Sequence, residues 1–175
     1  MNSTHLPSNF SWNDLGNLNV GRKTLGPDMP VLVYRLFQYT LRDVLTEEYG
    51  KEATIRLFRT AGHIAGMELA KNVLDLSGNL DYFMANLANK LKELKIGLLR
   101  VEKADLEALS FTLTVSEDLD CSGLPITGDT VCNYDEGFIA GILEAYSGRS
   151  FTVEEVDCWS TGDRTCRFFA SVNLE

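Results

Sequence analysis

The chain has 175 residues, enough for one domain with a substantial apolar core. Its formal net charge of −9 argues against nucleic acid or an anionic membrane as the main partner. The N-terminal residues lack the charged and apolar regions of a secretory signal, and no apolar run is long enough to span a membrane. We therefore expect a cytoplasmic protein, in which clustered cysteines are more often metal ligands than disulfides.

The N-terminal part of the chain predicts an arm followed by three helices. Residues 1–29 are rich in Asn, Ser and Gly and show no periodicity. Pro30 suits the start of a helix, and Gly50 suits its end. Two further helices are predicted over residues 52–74 and 80–94, the second from its apolar residues at helical spacing. The predicted organisation is an arm over residues 1–29 and a single domain over residues 30–175.

After residue 95 the apolar period changes from that of helices to that of strands. Strands are predicted over residues 96–101 and 109–115, and a hairpin over residues 151–158 and 164–172. Between them lies a fourth helix, with Asn133 and Glu136 as its cap pair and Gly148 as its end. The acidic pair Glu117-Asp118 is expected on the solvated surface. This order predicts an α+β fold, with N-terminal helices, an antiparallel sheet and an inserted helix.

Two of the predicted helices share a glycine pattern. Gly62-His63-Ile64-Ala65-Gly66 lies in the second helix and Gly137-Phe138-Ile139-Ala140-Gly141 in the fourth. Glycines four residues apart leave a smooth groove for close helix packing or for a flat ligand, and we favour packing. His63 is interpreted as a buried partner, a pocket anchor or a haem ligand.

The last third of the chain contains a candidate metal site. Cys132 precedes the fourth helix, where helix dipoles favour a thiolate. A three-residue loop at 161–163 would make Cys158 and Cys166 cross-strand neighbours, with Cβ atoms about 4.5–5.5 Å apart. That separation allows two thiolates to share a zinc ion.

Glu155 joins this site only if its strand is irregular, because residues three apart on a regular strand face opposite ways. The apolar phase is odd at Phe151 and Val153 but even at Val156 and Cys158, so we predict a β-bulge at 155–156. The alternatives are a disulfide between Cys158 and Cys166, or cysteines that act only as buried apolar residues. Cys121 is an alternative fourth ligand, which would give a four-cysteine site for zinc or an iron–sulfur cluster.

The residues from Cys132 to Gly141, then Glu155-x-x-Cys158 and Gly162-Asp163-x-x-Cys166-x-Phe168, resemble the 4-vinyl reductase (vinyl-4-reductase) domain family. The resemblance implies a small-molecule-binding α+β module, similar to subunits of the TRAPP tethering complex. In the aromatic-sensing relatives a structural zinc is held by one glutamate and three cysteines. The matching ligands here are Cys132, Glu155, Cys158 and Cys166.

The resemblance also predicts the character of the pocket. Positions that are polar in the phenol sensors correspond to Phe83, Phe111 and Val153, so we expect a more hydrophobic, larger or flatter ligand than phenol. The residues predicted to line the pocket are Phe83, Leu87, Phe111, Phe138, Val153 and His63.

The leading functional hypothesis is a non-enzymatic, zinc-stabilised sensor of a small hydrophobic or aromatic molecule. The sensors carry output domains after this module, whereas this chain ends at Glu175, so we expect a homodimer acting through a protein partner. The first alternative is an enzyme or accessory protein of tetrapyrrole vinyl reduction, or an iron–sulfur or haem redox protein. Against an enzyme, the chain has no dinucleotide-binding fingerprint, and no catalytic residue is assigned. The remaining alternative is an assembly subunit without a cavity.

Overall fold

The structure is a computed structural model that describes residues 8–105 and 107–173. The first seven residues of the predicted arm, including His5, lie outside the described residues. Contacts divide the chain into two compact units, one ending at Leu57 and the other beginning at Phe58, within the third helix. The arm over residues 1–29 and the single domain over residues 30–175 stay predictions.

The first unit is helical. It contains a short 3-10 turn (Trp12–Leu15), α1 (Leu18–Gly21), α2 (Val31–Tyr49) and the first residues of α3 (Lys51–Val73). Pro30 caps the start of α2, because its extended backbone leads into the helix without needing an N–H. Gly50, with φ of 80°, ends α2 and donates its N–H to the Thr46 carbonyl at 2.9 Å. The predicted bounds of this helix are confirmed.

The second unit is an α+β fold. It contains the rest of α3, α4 (Leu80–Glu93), β1 (Leu98–Asp105), β2 (Ser110–Ser116), α5 (Asn133–Ser147), β3 (Phe151–Asp157) and β4 (Cys166–Val172). The strands form one antiparallel sheet in the order β1-β2-β4-β3. Because α5 is inserted between β2 and β3, the predicted helices, antiparallel sheet and inserted helix are confirmed.

The core of the second unit forms where helices cover the sheet. α5 packs on β3 and α4 packs on β1. Burial alternates along β3, so that one face of this strand is covered and the other is open. The largest fully buried side chains include Phe83, Leu113, Ile142, Leu143 and Phe168.

α3 and α5 meet through the four glycines of the repeated pattern. These are Gly62, Gly66, Gly137 and Gly141. A Cβ added to Gly62 would overlap the carbonyl oxygen of Tyr134, and one added to Gly137 would overlap that of Arg59. The other two glycines meet main-chain carbonyls of the facing helix in the same way. The glycines therefore serve close helix packing, as favoured from the sequence.

Two local predictions are wrong. Cys132, rather than Asn133, is the N-cap of α5, and no side chain caps its amides. Asn133 instead donates to the Glu136 side chain at 3.1 Å, because Glu136 points into the protein. The connection between β3 and β4 is also longer than three residues. It spans residues 158–165 and contains a 3-10 turn, Trp159–Thr161.

Candidate metal centre and neighbouring cavities

Four cysteine sulfurs converge in the second unit. Cys121, Cys132, Cys158 and Cys166 are at most 1% exposed, and their sulfurs all lie within 4.8 Å of one another. The Cys132 sulfur is 3.9 Å from that of Cys158 and 3.8 Å from that of Cys166, and the Cys121 and Cys166 sulfurs are 3.0 Å apart. All four are free cysteines.

Two pairs of segments supply these cysteines. Cys166 begins β4 opposite Val115, and Cys158 directly follows β3. Cys132 begins α5, and Cys121 lies in the loop after β2, where its N–H donates to the Asp118 carboxylate at 3.0 Å. The cluster therefore joins the β3–β4 hairpin to both ends of the loop that precedes α5.

The donor set fits a tetrahedral metal ion. With Zn–S bonds of about 2.3 Å, the sulfurs of a regular tetrahedron are about 3.8 Å apart. Both distances from the Cys132 sulfur match this edge, at 3.8 and 3.9 Å. The 3.0 Å between Cys121 and Cys166 is shorter than the edge, but well beyond the roughly 2.05 Å of a disulfide. A small relaxation at Cys121 would complete a regular site.

The thiols of the cluster titrate as a group. Hydrogen bonds from Cys121, and then from Cys132 and Cys166, hold the pKa of the Cys158 thiol far below its ordinary value. The pKa of Cys132 is raised by its hydrogen bonds to Cys121, Cys158 and Cys166 and by burial. One thiolate held by three thiols is a natural state for such a cluster without a cation. A divalent cation would favour the loss of the remaining protons.

Glu155 lies beside the cluster. The register of β3 against β4 shifts between Glu155 and Asp157, so the predicted β-bulge is confirmed. The bulge leaves Val156 52% exposed, while both Glu155 and Cys158 are buried. Glu155 Oε2 accepts the Cys132 N–H at 3.0 Å, and Oε1 has no hydrogen-bond partner. Burial, followed by the hydrogen bond to Cys158, raises the pKa of Glu155 to about 8.

Glu136 ties together three elements around the site, a role that sequence reasoning missed. Its carboxylate accepts two hydrogen bonds from Arg59, at 2.6 and 2.9 Å, and another from the Glu155 N–H at 3.0 Å. Although only 3% exposed, it is thus matched by a guanidinium and by backbone. The available signal was its position on the apolar stripe of α5, three residues before Ile139.

Two further carboxyl groups are buried next to the cysteines. Asp118 is 3% exposed and Asp135 9%, so the prediction that Asp118 lies on the solvated surface is wrong. Asp118 turns inward because Oδ1 accepts the N–H groups of Asp120 and Cys121 at 2.8 and 3.0 Å. Burial, and then the charge of Asp120, raises the pKa of Asp118 to about 7 and that of Asp135 well above its ordinary value.

Two cavities adjoin α4. An inner cavity of about 20 Å³ lies among α4, α5, β1 and β2, and its walls are apolar except for Asp118 and Asp135. An outer groove of about 310 Å³ runs between α4 and β1 and ends against Phe111 on β2. Its walls are formed by Leu80, Asp81, Met84, Ala85, Ala88, Leu99, Val101, Ala104 and Phe111.

The predicted pocket residues are distributed over several places. Leu87 and Phe138 line the inner cavity, and Phe111 lines the outer groove. Phe83 is buried and stacks on Tyr146, with ring centroids 4.1 Å apart. The other two are Val153, which is buried in β3, and His63, whose Nε2 lies 2.9 Å from a carboxylate oxygen of Glu144.

The comparisons with known proteins agree with this fold. The profile of the vinyl-4-reductase domain matches residues 111–171, which include all four cysteines. The Methanocaldococcus jannaschii protein MJ0150 is 30% identical over 159 residues, covering 91% of this chain and 85% of the relative. The chain belongs to the vinyl-4-reductase domain family. A second protein of that organism, MJ1642, is 28% identical over 135 residues, or 70% of this chain and 80% of the relative.

Solved structures show the same fold at low identity. The phenol-responsive sensory domain of the transcription activator PoxR, solved with phenol, has a TM-score of 0.62 at 18% identity and covers 82% of this chain and 75% of that domain. A vinyl-4-reductase family protein from M. jannaschii has a TM-score of 0.58 at 18% identity, covering 86% and 85%. A Naegleria fowleri trafficking protein particle complex subunit 3, covalently bound to palmitic acid, has a TM-score of 0.66 at 15% identity, covering 82% and 95%. The expected similarity to tethering-complex subunits is confirmed. Each helix within residues 8–105 and 107–173 is too short or too polar to cross a bilayer.

Proposed function

We propose that this protein is a non-enzymatic module that binds a small hydrophobic or aromatic molecule, carries a structural zinc ion and acts through a protein partner. The observation that carries the proposal is the set of four buried sulfurs mutually within 4.8 Å, next to an apolar groove. Four thiolates complete a tetrahedral zinc site and leave no position open for catalysis. The ion would supply folding energy rather than reactivity.

The proposed ligands are Cys121, Cys132, Cys158 and Cys166, with Glu155 in a supporting position. The carboxylate of Glu155 accepts the Cys132 N–H at 3.0 Å and so holds the backbone that positions this sulfur. This assignment takes the alternative fourth ligand, Cys121, in preference to Glu155. The reason is that the four sulfurs form a complete group of mutually close donor atoms.

The proposed ligand site is the outer groove between α4 and β1. Its volume of about 310 Å³ lies at the lower end of the usual range for small-molecule sites. The wall contributes Phe111 and several aliphatic side chains, and Asp81 is its charged member. Phenol in the PoxR sensory domain and palmitic acid in the N. fowleri subunit are both largely apolar ligands, which agrees with an apolar site here.

The proposed assembly is a homodimer formed through α2. Within the first unit, the apolar face of this helix consists of Val33, Phe37, Leu41 and Val44, which are between 39% and 67% exposed. A continuous exposed apolar face is typical of an interaction surface. Light scattering should give a dimer mass for the wild type and a monomer for Phe37→Glu, but a dimer for the control Ile126→Glu. A monomeric wild type would contradict this assembly.

Metal analysis tests the zinc site. We expect Cys121→Ser and Cys132→Ser to lose the zinc ion and Glu155→Gln to retain it, since Gln keeps an oxygen that accepts the Cys132 N–H. Zinc loss in Glu155→Gln with retention in Cys121→Ser would assign Glu155 as the ligand instead. Broad visible absorption from iron in the purified protein would replace zinc with an iron–sulfur cluster, which four cysteines also bind.

Thermal shift measurements with phenol and with palmitate test the ligand site. A ligand that binds only the folded state raises the melting temperature with its concentration. Ala88→Trp, which fills the groove, should abolish this shift, whereas Ala108→Trp on an exposed turn should leave it unchanged. Equal shifts in both variants would place the ligand elsewhere. The absence of any shift with either probe would contradict an apolar ligand of this kind.

A further inference from the structure

A second group of possible metal ligands adjoins the four cysteines. One carboxylate oxygen of Asp118, one of Asp135 and the Cys132 sulfur all lie within 4.8 Å of one another. These residues are 3%, 9% and 0% exposed. They come from the loop after β2 and from the start of α5, so that the fold, rather than local sequence, brings them together.

The carboxyl group of Asp135 provides an independent indication of a ligand. Its Oδ2 is buried without a hydrogen-bond partner, and the residue lines the inner cavity together with Asp118. A buried carboxylate without a partner is costly unless a cation compensates it. Arg59, which reaches this end of α5, is already held by two hydrogen bonds to Glu136.

We propose that Asp118, Asp135 and the Cys132 thiolate bind a second divalent cation, with the Cys132 sulfur bridging to the first. This inference rests on the proposed zinc site, because the two sites share Cys132. Two carboxylate oxygens and a thiolate favour zinc or a similar transition ion over magnesium or calcium, which prefer oxygen ligands alone.

The inner cavity provides the remaining ligand. Its volume of about 20 Å³ is enough for one water molecule and too small for an organic ligand. Asp118 and Asp135 are its polar walls, so a water molecule within hydrogen-bonding reach of them would also lie next to the cation. Three protein ligands and one enclosed water complete a four-coordinate ion.

The two ions also account for the accumulation of buried acidic groups. Four thiolates around one divalent cation leave a net charge of −2, to which the carboxylates of Asp118 and Asp135 would add −2. A second divalent cation reduces the sum of −4 to −2. The proposed ion therefore lowers the electrostatic cost of burying both aspartates beside a thiolate-rich site.

Metal titration of the full chain, stripped with a chelator, tests this proposal. We expect the wild type to bind two zinc ions per chain, measured by native mass spectrometry, and Asp135→Asn and Asp118→Asn to bind one. Asp120→Asn is the matched control, since it makes the same change at a neighbouring residue that is 2% exposed, and it should still bind two. With cobalt(II), the first equivalent should show intense thiolate bands, and the second should add weaker bands at higher energy.

The stability of the aspartate variants supplies a second readout. Asn has nearly the size of Asp but no charge, so metal-free Asp135→Asn should melt no lower than the metal-free wild type. The gain in melting temperature on adding zinc should be smaller in Asp135→Asn than in the wild type. A folded Asp135→Asn variant with the full zinc gain would overturn the proposal.

The outcomes separate this proposal from the one on which it rests. A wild type that binds one ion overturns the second site and leaves the four-cysteine site intact. A wild type that binds none overturns both. Two ions in Asp135→Asn and Asp118→Asn, or one ion in Asp120→Asn, would show that these aspartates are wrongly assigned.

Discussion

Replacement of Gly137 by alanine tests the contact between α3 and α5. A methyl group at this position would overlap the carbonyl oxygen of Arg59 and lie 2.8 Å from the His63 nitrogen. Both obstacles are main-chain atoms, which cannot move aside by changing a rotamer. The two helices must therefore separate, and this would also disturb the nearby pair of Arg59 and Glu136, whose atoms are 2.6 Å apart.

The expected cost follows from two opposed terms. Alanine in place of a helical glycine stabilises by about 1 kcal/mol. Overpacking a close contact costs about 1–3 kcal/mol, and more where both obstacles are backbone. The separation also loosens the packing of α5 against its neighbours. We expect a net loss of about 2–4 kcal/mol, which for a unit of this size lowers the melting temperature by roughly 10 °C.

Chemical and thermal denaturation of the zinc-loaded protein would measure this effect. Gly21→Ala is the control, because Gly21 is helical and has no atom within 4 Å of its added Cβ, so this variant should be neutral or slightly stabilised. The double variant Gly62→Ala with Gly137→Ala should cost less than the sum of the single variants, since the first methyl group already separates the helices. A Gly137→Ala variant as stable as Gly21→Ala would refute the reasoning.

Three further predictions concern single groups. Tyr146→Phe removes a hydrogen bond to the Gly78 carbonyl but keeps the ring, so the free energy of unfolding should fall by about 1 kcal/mol in urea denaturation, whereas an unchanged value would contradict this role. Glu136→Gln leaves the guanidinium of Arg59 without its carboxylate, and the same assay should show a loss of about 2–3 kcal/mol; a loss below about 0.5 kcal/mol would contradict the central position of Glu136. In the metal-free protein, the raised pKa of Asp118, about 7, means that its protonated form stabilises the fold. This contribution is complete below about pH 4, the ordinary pKa range, and is lost as the pH rises through 7, so the metal-free melting temperature should be lower at pH 8 than at pH 5. A higher melting temperature at pH 8 would contradict this sign.

Local sequence patterns predicted much of the framework around the site. Pro30 and Gly50 marked the ends of α2, because each residue has a backbone preference that suits one end of a helix. The change of apolar phase between Val153 and Cys158 predicted the bulge, because side chains alternate strictly along a regular strand. Each of these signals depends on a few neighbouring residues.

The path of the loop between β2 and α5 could not be predicted in the same way. Residues 117–132 have no periodicity, and the 3-10 turn after Cys158 replaces the short hairpin loop expected from Thr161-Gly162-Asp163. The position of Cys121 depends on backbone hydrogen bonds to Asp118, which in turn draw this aspartate inside. An acidic pair such as Glu117-Asp118 is typical of a surface, and only the course of the chain places one of its members in the interior.

The sequence by itself determined the α+β order of elements, the glycine pairs, the bulge and the residue types that converge on a metal site. These features depend on backbone preferences, side-chain period and spacing over short stretches. The tertiary structure decided which donors meet. It brings the Cys121 sulfur to 3.0 Å from that of Cys166, places Glu155 on the Cys132 amide and buries Asp118 and Asp135 side by side. Contacts between residues 45 positions apart arise from the packing of a loop, a helix and a hairpin, and no local pattern encodes that packing.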